Sequence, residues 1–330
     1  MANTTIYDVA GAARVSLATV SRVMNNPEKV NPETRERVLK VIQKLGYKPN
    51  AIARGLASRK TTTVGVIMAD VSRAASAAQL GGIIDIAKQY EYSIKLFSIM
   101  ENDDIKETIR AVVAEQVDGI LFLNDELLHD QIEIVLSHIR DAQIPLVLCN
   151  VLYDNEEIPT VSIDYEESTY QVTMDLINSG RENVYFFTTV KNYTVNHHKE
   201  QGYIRACQDA GRAPLILRTS GDVSVNRLHF EEYFKNKPVD GVIAVRDSIA
   251  VSFMNYTFDK GLDCPKDVSI IGLQNTKYAI LSRPNLTCVD TPVYDIGAVS
   301  MRLLTKFMKH EEVENNKVIL PHSVIKRKSH

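Results

Sequence analysis

Arg22 carries the most directed chemistry in the first fifty residues. Its planar guanidinium is a fork of donors that matches O6 and N7 of guanine together, a contact that discriminates between bases by about 1–3 kcal/mol. Thr5, Ser16, Thr19, Ser21 and Asn25 stand around it. Their hydroxyls and amide suit phosphate oxygens, contacts that fix register without reading sequence. Leu17 and Ala18 are apolar and suit the thymine methyl group. A second cluster follows at Arg54, Leu56, Arg59 and Lys60. An apolar side chain between basic ones fits a minor-groove wedge, and it also fits a flexible basic linker.

Three short helices must position the first cluster. Thr5 can cap a helix over Ile6–Ala13 with Ile6, Val9, Ala10 and Ala13 on one face. Ser16 can cap a second, from Leu17 to Met24, with Val20 and Val23 inward and Leu17, Ala18, Ser21 and Arg22 outward. Asn31 and Pro32 open a third, whose stripe is Val38, Leu39, Ile42 and Leu45 and whose stop is Gly46. The first two with their tight turn predict a helix-turn-helix head over residues 1–47, its second helix entering the major groove. Residues 48–60 form a hinge in which Asn50 can cap a helix of about two turns, too short to be stable alone. Charge supports this division: residues 1–60 hold 11 Lys/Arg against 4 Asp/Glu, while the remainder is net acidic at 27 against 37.

From Thr63 onward, short apolar runs alternate with helical patterns over residues 61–330. Val64 to Ala69, Ile94 to Phe97, Gly119 to Leu123 and Leu146 to Cys149 predict buried parallel strands. Val184 to Thr188, Leu215 to Arg218, Val242 to Val245 and Ser269 to Gly272 predict a second series. The expected fold class is α/β, two doubly wound lobes behind the head, with a ligand cleft where strand C-termini face each other. No leader-like or membrane-length apolar run is seen, so the expected compartment is the cytoplasm. Cys149, Cys207, Cys264 and Cys288 are scattered, which signals neither zinc nor a disulfide framework. No cofactor is expected. His197-His198 could bind metal or act as a base, but a solvated loop explains the pair more simply. The phosphate-cradling and nucleophile-elbow motifs are missing, so no enzyme is expected.

Thr5-Ile-Tyr-Asp-Val-Ala10, Val15-Ser-x-x-Thr-Val-Ser-Arg-Val-x-Asn25, Gly46-Tyr-x-Pro-Asn50 and Ala53-Arg-Gly-Leu56 resemble the head of the lac repressor family. The stretches Ala53 to Ile67 and Tyr294 to Lys306 resemble its catabolite-control branch. The resemblance implies that Leu17, Ala18 and Arg22 read bases and that Asn50 and Ala53 contact the minor groove. It also implies that Leu56 residues from a homodimer open the centre of a pseudopalindromic operator, with repression as the outcome. The implied body has periplasmic-binding-protein type I architecture, with three crossings between lobes. One lobe would take about 61–160 and 290–310, the other about 161–289 and 311–330, including a C-terminal strand around Val318 to Ile325. The chain ends without a leucine heptad, so a dimer is expected rather than a tetramer.

The cleft departs from the family pattern. Arg73-Ala-Ala-Ser-Ala-Ala78 supplies none of the aromatic residues expected after the first strand, and Gly272-Leu-Gln-Asn275 has Gln274 in place of an aspartate. Lys199 stands where arginine is usual. A family-typical sugar is therefore not expected to bind tightly. Asp70 and Asp247 fit either a cleft position or helix capping. In the catabolite-control branch the co-regulator is a serine-phosphorylated phosphocarrier protein of the sugar phosphotransferase system. The resemblance implies that Arg283 meets that phosphoserine, a charge-assisted pairing, although a surface arginine beside a turn is the simpler account. Two other classes remain: a regulator of one carbohydrate operon answering to a small-molecule effector, and a solute-binding protein.

Overall fold

The computed structural model describes residues 4–47, 61–69, 71, 74–99, 103–123, 128–153, 155, 157–191 and 193–330. The hinge residues Asn50, Ala53 and Leu56, and Asp70 and Arg73, lie outside these. The chain divides between residues 61 and 62 into two compact units.

In the first unit, α1 (Ile6–Ala13), α2 (Leu17–Asn25) and α3 (Pro32–Leu45) enclose a small core of Val9, Ala10, Ala13, Val20, Val23 and Val38. Each start is fixed by a side chain that satisfies an orphan backbone N–H. Thr5 accepts from Asp8 N at 3.4 Å, and Asp8 accepts in return from Thr5 N at 2.7 Å. Ser16 Oγ accepts from Thr19 N at 3.1 Å, and Asn31 Oδ1 from Glu33 N at 3.0 Å. Gly46, at φ 60°, ends α3 in the left-handed conformation that glycine adopts without a Cβ penalty. Leu39, expected in the buried stripe, is instead 49% exposed. It sits one residue, about 100° of helix, past fully buried Val38. Ser16→Ala is expected to destabilise the start of α2 by about 1 kcal/mol. Faster amide exchange at residues 19 and 20 of the full-length protein would register it.

The second unit holds two six-stranded sheets. The first runs β11-β5-β4-β3-β1-β2 and the second β12-β10-β9-β8-β6-β7. In chain order the strands are β1 (Thr63–Met68), β2 (Ser93–Ser98), β3 (Gly119–Phe122), β4 (Leu146–Cys149), β5 (Thr160–Ile163) and β6 (Val184–Thr189). They continue as β7 (Leu215–Thr219), β8 (Gly241–Ala244), β9 (Ser269–Gly272), β10 (Thr287–Asp290), β11 (Lys317–Leu320) and β12 (Ser323–Ile325). Among the described pairings only β10 with β12 is antiparallel. The helices between them are α4 (Ala74–Gln89), α5 (Ile105–Ala114), α6 (His129–Asp141), α7 (Tyr165–Asn178) and α8 (Thr194–Asp209). Then come α9 (Val223–Tyr233), α10 (Asp247–Asp259), α11 (Lys277–Leu281) and α12 (Val293–Met308).

Two expectations about the crossings are corrected. The first lobe extends through β5, because Leu148 pairs with Thr160 and Cys149 with Val161. The anticipated C-terminal strand is two strands in different sheets. Lys317–Leu320 pairs with β5 of the first lobe, and Ser323–Ile325 with β10 of the second. Pro321 lies between them, and a residue without an N–H cannot continue the ladder, so the chain leaves one sheet there. The crossings therefore fall near residues 164, 291–292 and 321–322. The sequence pattern also missed α9, α11, β5 and β10.

α12 returns to pack on α4, and the two backbones touch through glycines. A Cβ on Gly297 would stand 2.0 Å from Gln79 O, and one on Gly82 would stand 2.1 Å from Tyr294 O. Each helix lays a carbonyl in the gap left by the other's missing side chain.

Candidate nucleic-acid interface and regulatory cavity

The capped start of α2 sets the orientation of the nucleic-acid candidates. Leu17, Ala18 and Arg22 are exposed, on the face opposite buried Val20 and Val23. Ser16 and Thr19 join through their hydroxyls at 2.8 Å. Asn25 Nδ2 donates to Ser21 Oγ at 3.3 Å one turn on. Thr5 is engaged with Asp8, whose carboxyl is held below its usual range by the Thr5 backbone and hydroxyl bonds. The two N-caps thus spend part of their hydrogen-bonding capacity on the fold itself. Leu17, Ala18 and Arg22 turn exposed side chains outward.

In the second unit, a cavity of about 380 Å³ opens at the C-terminal ends of strands from both sheets. The first lobe contributes Gln79, Leu123, Cys149 and Asn150, and the second contributes Lys199, Leu273, Gln274, Asn275 and Lys277. Lys199 is buried, donates to Val245 O at 3.2 Å and sits 5.1 Å above the Tyr165 ring. Of the sequence candidates, the structure brings Lys199 and Gln274 together here. Asp247 is not on the wall. Its buried carboxylate accepts from Thr276 N at 2.8 Å and Thr276 Oγ1 at 2.5 Å, so it anchors the loop that follows β9. Burial raises its carboxyl above the usual range, against the lowering effect of the Thr276 bonds.

Residues that sequence reasoning missed complete the wall. Asn275 donates to Asp290 Oδ1 at 2.9 Å and accepts from Arg327 Nη2 at 2.7 Å, so both ends of its amide are fixed. Gln79 Nε2 donates to Cys149 O at 3.2 Å and contacts its Sγ at 2.9 Å. Burial pushes the Cys149 thiol up to about 12, which keeps it unreactive. Tyr165 supplies an aromatic surface that the stretch after β1 lacks in sequence. The signal for these residues was positional: several follow a strand end or open a helix, where α/β folds place ligands.

Arg283 is exposed and lies past α11. Its Nη1 donates to the carbonyls of Ile280, Leu281 and Ser282 at 3.2, 3.3 and 2.8 Å. It therefore closes the helix end, whatever else it does. His197 and His198 place their rings 6.1 Å apart. Among the described residues no group of three or more His, Cys, Asp or Glu is arranged to hold a metal ion, and no helix is long and apolar enough to cross a membrane.

Comparison with known proteins places this geometry. Residues 5–50 match the model of the lacI family of bacterial regulatory proteins, and residues 173–330 match a periplasmic binding protein-like domain. Catabolite control protein A of Priestia megaterium is 41% identical across 99% of both chains. The HTH-type transcriptional regulator pepR1 of Lactobacillus delbrueckii subsp. lactis is 36% identical across 98% of this chain and 97% of its own. Among solved structures, the transcription regulator CcpA of Lactococcus lactis has a TM-score of 0.71 at 31% identity, covering 81% of this chain and 98% of that one. A lac repressor dimer bound to operator and an anti-inducer has a TM-score of 0.87 at 21% identity, covering 99% of each, a likeness of fold.

Proposed function

The chain belongs to the lacI family of bacterial regulatory proteins, and from that premise we propose that it is a DNA-binding carbon catabolite repressor acting as a homodimer on a pseudopalindromic operator. The observation that carries this reading is α2, capped at Ser16, with Leu17, Ala18 and Arg22 exposed on one face. Arg22 reads guanine, Leu17 and Ala18 meet thymine methyls, and Thr5, Ser16, Thr19, Ser21 and Asn25 hold phosphates. Asn50, Ala53 and Leu56 complete the interface from the minor groove. Two bound heads explain the need for a dimer. The body supports one: α9, α10 and α11 pack in series and expose Leu228, Phe258 and Leu281 at 72%, 80% and 69%. Apolar exposure of this extent is what a second copy would cover.

Regulation enters through the body. A serine-phosphorylated phosphocarrier protein is the proposed co-regulator, with Arg283 as its candidate contact. The cavity favours a second reading, a small-molecule effector, because its volume suits a compact ligand and its wall carries Lys199, Lys277 and Gln274.

Selection from a random duplex pool by the full-length protein at fixed salt tests the DNA reading. Enrichment of sequences with two-fold symmetry is expected, and a pool indistinguishable from the input would overturn it. The same operator titrated with and without the phosphorylated carrier separates the modes of control. Tighter binding with the carrier supports the protein co-regulator, while unchanged affinity transfers the role to an effector.

A further inference from the structure

Beyond the cavity that would take an effector, we propose that Tyr165 is a positioning residue whose hydroxyl ties one lobe to the first crossing and so sets the angle between the lobes. It is the first residue of α7, directly after the chain leaves β5 at Asp164. Although only 5% exposed, it contributes to two cavities, the larger one and a second of about 200 Å³ that also takes in Asp164, Glu166, His198 and Lys317. Tyr165 is common to the walls of both.

Its polar contacts straddle the lobe boundary. The hydroxyl donates at 2.5 Å to Asn150 Oδ1, at the end of β4 in the first lobe. Asn150 has φ 62°, a left-handed conformation that asparagine tolerates better than most residues. Its amide is therefore aimed by the backbone. On the other side, the Tyr165 ring lies under Lys199 of α8, which bonds the end of β8 in the second lobe. A buried tyrosine hydroxyl needs an acceptor, and here the acceptor belongs to the opposite lobe. Asn150 and Lys199 both line the larger cavity as well. An occupant that takes the Asn150 amide breaks the bond to the Tyr165 hydroxyl and so weakens the tie between the lobes. Cavity contents are in this way converted into lobe angle.

The two lobes are joined by three crossings, so a change of angle must flex all three, whereas a local packing role would disturb α7 alone. Hydrogen exchange on the ligand-free full-length protein distinguishes these. Tyr165→Phe keeps the ring under Lys199 and removes only the donor. Asn150→Gly keeps the left-handed backbone and removes the whole carboxamide side chain, the acceptor with it. Each is expected to speed exchange about tenfold at residues 163–166, 289–294 and 319–324, with sheet-centre amides unchanged. The double variant should exchange no faster than Asn150→Gly alone, because Tyr165→Phe removes only a bond that Asn150→Gly has already broken. Acceleration confined to the start of α7, no acceleration, or additive effects would overturn the proposal. If one substitution prevents folding, the pattern across the three crossings in the other decides.

Discussion

Arg22→Ala is expected to weaken operator binding by about 1–3 kcal/mol while affinity for random duplex falls far less. Ser16 fixes the start of α2 and the buried Val20 and Val23 fix its rotation, leaving Arg22 exposed. Loss of a charge alone would lower affinity for every DNA and reduce the salt slope by about one ion. Loss of a bidentate fork removes discrimination at one base pair. Arg22→Lys separates the two, since it keeps the charge but not the planar pair of donors. It should retain the salt slope and lose most of the discrimination. Fluorescence anisotropy on operator and random duplex at matched salt reads both, and equal losses on the two DNAs would sink base readout.

Gly297→Ala should destabilise the body by about 3 kcal/mol, at the upper end of the overpacking range. Its new Cβ would stand 2.0 Å from a backbone carbonyl, Gln79 O, which no side-chain rotation can relieve. α4 and α12 must separate by more than an ångström to restore ordinary contact. Gln79 would move with its helix, and its amide bonds Cys149 in the cavity wall. Gly11, exposed on α1 with open space for 4 Å around the position a Cβ would take, is the contrasting case. There Gly11→Ala should gain up to about 1 kcal/mol from helix propensity. Urea unfolding of both variants measures the difference. A Gly297→Ala midpoint equal to wild type would show that the helices yield without cost.

The head was legible because each helix start and the end of the third carry a local chemical signal: Thr5, Ser16 and Asn31 as caps, Pro32 at a first turn, Gly46 as a stop. The sheet centres were legible for a related reason. A parallel strand buried on both faces is a run of apolar residues, and Leu146–Cys149 and Ser269–Gly272 were placed to the residue. The C-terminal strands were not, because two segments of four and three residues carry no period that assigns them to a sheet. Their assignment depends on partners far away in sequence. Asp247 misled for the same reason, since its partner Thr276 lies 29 residues on. Tyr165 gave no sign of joining Asn150 because the bond exists only once β4 and α7 are set against each other.

The order in which the strands are made has a consequence for synthesis. The first lobe begins with β1 at residue 63 but receives α12 and β11 only from residues 293–320. At about 5–20 residues per second, the ribosome leaves β1–β5 without their covering helix and edge strand for on the order of ten seconds. The head draws its core from residues 6–47. A nascent chain therefore carries a folded helix-turn-helix head while the first lobe is still an open, apolar surface. Products terminated before β11 would keep the head on a lobe without its edge strand, a species open to chaperones and proteases.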